Sequence, residues 1–140
     1  MKHRQAIIEI ANLNDDYGVV MEDDIQIPNF DFLPTLKKFS DEFSKMSGDI
    51  LFIGSMVGMD RISENSDTVF YSPDFSSRCA HCYMISGRVA KKIYPYLEDI
   101  VAPFDWQLNM IIDSLNLRCC WSTPHINQRT EKGEIKSLLR

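Results

Sequence analysis

The sequence predicts one α/β domain over residues 1–140 with a largely parallel sheet, and three observations predict it. Apolar runs of strand length alternate with stretches of helical periodicity along most of the chain. The 140 residues are 44% hydrophobic and 25% charged, which fits one compact core and leaves little room for a second. No internal repeat, low-complexity tract or linker-like segment breaks the pattern.

Each element has its own signal. Ala6, Ile7, Ile10 and Ala11, with Leu13, recur at helical spacing and predict an amphipathic helix over 3–13 that Asn14, Asp15 and Asp16 stop. "YGVVM" reads as a buried strand. Pro28 and Pro34 bracket a loop and a helix start, and Leu33, Leu36, Phe39, Phe43 and Met46 then share one apolar face, ending near Ser47-Gly48. "DILFIG" is a second strand. Residues 55–67 are polar without a sustained period and predict a long loop, of the kind that often holds function. "TVFYS" and "HCYMIS" are short strands. Ser86 caps a helix in which Val89, Ala90, Ile93 and Leu97 share a face, with Pro95 predicting a kink or an early end. Pro103 opens a last helix, "FDWQLNMIIDSLN", which leads to the strand "LRCCW" and a tail without clear periodicity.

Composition excludes several partners. A net charge of -5 and a pI near 5.1 argue against a nucleic-acid backbone or an anionic membrane, since both need clustered Lys and Arg. No apolar run approaches the roughly 20 residues that span a bilayer. "QAIIEIANL" carries an acid where a signal peptide needs an unbroken apolar core, so a cytoplasmic or membrane-peripheral location is expected. Cys79 and Cys82 form one C-x-x-C without a matching second half, and adjacent Cys119 and Cys120 rarely ligate one metal. Buried thiols in a reducing compartment are the simpler expectation for these four, and His81 is expected to be packed or paired.

The chemistry concentrates where "YGVVM" leaves the core, because Glu22, Asp23 and Asp24 follow it directly. In open α/β sheets, ligands bind outside the carboxyl ends of the strands. Two like charges about 4 Å apart repel by roughly 4 kcal/mol at an effective dielectric of 20, so a partly buried acidic triplet needs a cation, donors or solvent. Alternation lets Glu22 and Asp24 face one way and Asp23 the other. Mg²⁺ or Mn²⁺, with waters and diphosphate oxygens completing the shell, suits such a set. The plain alternative is a solvated acidic turn. A bacterial receiver domain also carries adjacent acids after its first strand, but it needs an Asp at the end of a later apolar strand, where this chain has Gly54-Ser55.

Taken in order, His3 heading the first helix, "VVMEDDI", "DILFIG", "HCYMISGRVAKKI", "PFDWQLN" and the tail "INQRTEKGEIKSLL" resemble glycosyltransferase family 25, the group of the lipooligosaccharide and collagen galactosyltransferases. The likeness is greatest to its viral and bacterial members. It implies a GT-A-like, nucleotide-diphospho-sugar transferase fold with a mostly parallel sheet flanked by helices. It also implies that the chain matches the later part of the catalytic domain, without the first strand-helix-strand unit that helps hold the donor nucleotide.

The implied reaction moves a hexose, galactose or glucose, from a nucleotide-diphosphate donor to a hydroxyl of a glycan or protein acceptor. A divalent metal, Mn²⁺ or Mg²⁺, held by Glu22 or Asp24, would offset charge on the leaving diphosphate, with Asp24 the first choice of ligand. Asp23 would bridge through water or reach the donor ribose. Asp105, near a helix start that keeps a carboxylate ionised, is the candidate base, with simple helix capping as the alternative. Trp106 would stack on an acceptor sugar or else pack in the core. His125 is a candidate late metal ligand or a plain surface or packed His. Asn127, Gln128 and Lys136 would meet the diphosphate if the tail folds over it, and are otherwise a solvated tail. A reading from another class is a truncated relative that no longer catalyses and instead packs on a second chain, which could also be an oligomer partner supplying the missing half.

Overall fold

A computed structural model of the chain describes residues 2–13, 17–26, 31–54, 68–71 and 80–128. It contains helices α1 (Lys2–Ala11), α2 (Phe32–Lys45), α3 (Gly87–Ile93) and α4 (Phe104–Leu115), and strands β1 (Tyr17–Met21), β2 (Ile25–Gln26), β3 (Ile50–Gly54), β4 (Val69–Tyr71), β5 (Cys82–Ser86) and β6 (Cys119–Gln128). Hydrogen bonding orders the strands β1-β5-β3-β6, with β4 and the two-residue β2 both pairing β6.

Alternate strand residues feed two cores. Ile50 and Phe52 of β3, Tyr83 and Ile85 of β5, and Cys119 and Trp121 of β6 join Ile7, Val89, Ile93, Leu108 and Ile111 from α1, α3 and α4. Their neighbours Leu51, Ile53, Cys82, Met84 and Cys120 join Phe39 and Phe43 of α2. A period of two with helices on both faces explains why β3 and β5 are apolar at nearly every position: each side chain has a helix to meet.

The mixed α/β class expected from the sequence is what the chain forms, but the largely parallel sheet is not. Among the described residues, β3·β6 is the one parallel pair, while β1·β5, β3·β5, β4·β6 and β2·β6 are antiparallel. The cause is the place of β5. It slots between β1 and β3 and is antiparallel to both. β1 and β3, each antiparallel to β5, therefore run in the same direction as one another and as β6.

Local signals explain the helix ends. The Ser86 hydroxyl accepts from the Val89 N–H at 3.3 Å and starts α3, which ends at Ile93 before a 3-10 turn, Tyr94–Leu97, that holds Pro95. Asn116 closes α4 in a left-handed conformation at φ 50°. Pro34 lies in the first turn of α2, where a missing N–H is tolerated, and the Asp31 side chain makes no capping bond there. Leu33 departs from its expected place on the apolar face: it is 75% exposed, because the buried stripe of α2 runs through Phe39 and Phe43. The first part of the tail, which shows no clear periodicity in sequence, extends β6 through Gln128, and residues 129–140 lie outside the described residues. The loop predicted over 55–67 lies outside the described residues.

No helix among the described residues is long and apolar enough to cross a membrane. Cys82, Cys119 and Cys120 are free and buried, as expected of packed thiols, and burial pushes them up to about 12, 12 and 11 respectively.

Candidate functional site

The strand directions gather one edge of the sheet. β1 and β3 end there, β5 begins there, and Ile126 of β6 pairs with Gly54 at the end of β3. The N–H of Glu22 continues the ladder past β1 by donating to the His81 carbonyl at 2.9 Å. Beyond the acidic turn, Ile25 and Gln26 pair with Gln128 and Asn127, so the turn joins the end of β1 to the end of β6.

Helix starts converge on the same edge. Gly18, near the beginning of β1, leaves room for the Ile10 side chain near the end of α1, and the first turn of α1 lies beside Glu22. There the His3 ring lies between three elements. Its Nε2 is 3.0 Å from Glu22 Oε1, its Nδ1 is 3.3 Å from the Tyr83 hydroxyl, and its face stacks on Phe104 at 4.0 Å and 6°. A carboxylate only accepts, so Nε2–H donates to Glu22; with the proton on Nε2, Nδ1 accepts from the Tyr83 hydroxyl. Burial, and next the negative charge of Glu22, push the Tyr83 hydroxyl above its ordinary range, which keeps it a donor.

The three acids have different surroundings. Glu22 is oriented by His3 and has one-third of its side chain exposed. Asp23 pairs with Lys2 at 3.0 Å, and that hydrogen bond holds its carboxyl below the usual range; both groups are fully exposed, where such pairs add little to stability. Asp24 is exposed in the turn. Asp105 is half-buried in the first turn of α4, directly after Phe104, so a single imidazole connects the acidic turn to the helix that carries the candidate base. Trp106 is 57% exposed, which removes the expectation of a core Trp.

The other expected site residues fall less closely. His125 is half-buried on β6, and among the described residues no group of three or more His, Cys, Asp or Glu side chains could hold a metal ion. Asn127 and Gln128 lie, by backbone register, next to the residues that follow Asp24. Lys136 lies outside the described residues. His81 is buried, and its Nε2–H donates to the Ile126 carbonyl at 2.8 Å, the packed role expected of it.

A closed protein cage for a metal is thus not present among the described residues. Glu22 and Asp24 lie in one turn after β1; Mg²⁺ and Mn²⁺ commonly take only one or two protein carboxylates and complete their shell with water and diphosphate oxygens. The chain matches no protein-family model and no curated protein.

Proposed function

We propose that the chain is a glycosyltransferase domain of the family 25 type, moving galactose or glucose from a nucleotide-diphosphate sugar to a hydroxyl of a glycan or protein acceptor. One observation carries this reading. The acidic turn Glu22–Asp24 and the α4 start with Asp105 meet at one sheet edge on either side of His3. A bound Mn²⁺ or Mg²⁺ would supply Lewis-acid stabilisation of the leaving diphosphate. Glu22 and Asp24 are the groups that would hold it. Asp105 would take the proton of the acceptor hydroxyl, its charge favoured by the positive end of the α4 dipole. Exposed Trp106, one residue on, offers an aromatic face to the acceptor sugar.

The test is a thermal-shift titration with uridine diphosphate and Mn²⁺, singly and together, on wild type and Asp24→Asn. The expected outcome is a rise that needs both ligands and is lost in the variant. Saturation to 100 times Kd corresponds to about 2.7 kcal/mol, a shift of several degrees. No rise in wild type overturns the transferase reading. It would favour the non-catalytic partner reading, for which the specific observation is exposed apolar surface at Ile100, Val101, Trp106 and Met110.

A further inference from the structure

We infer that His3 is a positioning residue, which aims the Glu22 carboxylate toward the metal and diphosphate through its Nε2–H while Tyr83 and Phe104 hold its ring in place. The inference rests on the transferase reading and goes beyond it, since neither the acids nor Asp105 need His3 to be named. Three contacts from three different elements fix the ring: Glu22 after β1, Tyr83 on β5 and Phe104 on α4. The His3 side chain is 15% exposed. A donor held by Tyr83 and Phe104 leaves the carboxylate it serves few orientations, and groups that orient metal-binding carboxylates and imidazoles this way typically affect metal affinity about 10- to 100-fold. Stacking alone, by contrast, would act on packing and not on where Glu22 points.

Two substitutions separate these roles. His3→Phe keeps an aromatic ring for Phe104 and loses both hydrogen bonds. His3→Gln places an amide N–H near the position of Nε2 and loses the ring. Mn²⁺ is titrated by calorimetry into the full chain with saturating uridine diphosphate, and the unliganded melting temperature is recorded for each protein. His3→Phe is expected to weaken Mn²⁺ binding about 10- to 100-fold, and His3→Gln to stay within about threefold of wild type. Tyr83→Phe, which removes only the hydroxyl from a buried ring, is expected to weaken binding in the same direction, and it carries the test if His3→Phe does not fold.

Wild-type affinity in His3→Phe, or in Tyr83→Phe where that variant carries the test, overturns the inference and leaves the transferase reading standing. Equal weakening in His3→Gln and His3→Phe also overturns it, because the ring and not the donor would then matter. Absence of Mn²⁺ binding by wild type with uridine diphosphate overturns both readings together.

Discussion

Gly54→Ala tests the packing on which the functional edge is built. A Cβ at Gly54 would lie 2.5 Å from Nε2 and 2.7 Å from Cε1 of His81, closer than any real side chain approaches. The ring cannot easily yield: His81 is 3% exposed, and its Nε2–H is committed to the Ile126 carbonyl at 2.8 Å. Displacing it breaks a buried hydrogen bond, at about 1–3 kcal/mol, and overpacks the site, at about 1–3 kcal/mol more. The sum, about 2–6 kcal/mol, corresponds to a fall in Tm of roughly 6–18 °C for a domain of this size. Urea denaturation followed by circular dichroism gives the free energy directly. The decisive arm is the double variant. In His81→Ala the obstructing ring is gone, so adding the methyl at Gly54 should cost less than about 1 kcal/mol, a coupling within the range found for residues in contact. An equal cost of Gly54→Ala in both backgrounds, or no cost in wild type, would refute the reasoning. Because the His81 carbonyl also receives the Glu22 N–H, Gly54→Ala should further reduce the joint response to Mn²⁺ and uridine diphosphate.

Three further outcomes are expected. Phe43→Ala, which empties a fully buried position on α2, should cost about 3–5 kcal/mol in urea denaturation, whereas Leu33→Ser, on the same helix but 75% exposed, should stay within about 0.5 kcal/mol of wild type. Ser86→Ala removes the acceptor for Val89 N–H and should cost about 1 kcal/mol, with Ser86→Gly costing less relative to Ala, measured the same way. The raised thiols make stability fall at high pH. Unfolded cysteines ionise near 9.0 while Cys82, Cys119 and Cys120 hold their protons toward 12, 12 and 11, so the contribution is full below about pH 9 and is lost as pH rises through the folded values. The urea midpoint should therefore drop between about pH 9 and 12, and Cys82→Ala should flatten that drop.

Much of the element layout was legible because its signals are local. Ser86 with Val89 three residues on, the helical spacing of Ile7 and Ile10, and the apolar run of β3 all act within one or two turns of chain, and each element formed within a few residues of its expected bounds. Leu33 failed for a related reason. Its spacing to Leu36 suits a stripe, but it sits in the first turn, beyond the reach of the strands that Phe39 and Phe43 cover. Strand pairing is another matter, since it joins residues far apart. A helix between β1 and β3 predicts that they run the same way, and they do; nothing in β5 itself says that it inserts between them and turns neighbour pairs antiparallel. The extension of β6 to Gln128 is a case of the same kind, because Ser122–Gln128 has no strand signal of its own and is held by pairing with β4, β3 and β2.

The same division explains the candidate site. Glu22, Asp23 and Asp24 stand out in sequence because three adjacent charges at a strand end conflict with burial, whereas His3 at the head of an amphipathic helix conflicts with nothing. Its meaning lies in partners 19 and 80 residues away and in a ring on α4. Those partners also tie the acidic turn after β1 to the start of a distant helix without direct contact between the acids. Glu22 and Phe104 are each held by one imidazole, so any movement of α4 relative to β1 must break a stack or a hydrogen bond. The separation of the candidate ligands from Asp105 is then a property of His3 and Tyr83 as much as of the carboxylates, and a domain that kept the acids but lost His3 would keep the charges without their arrangement.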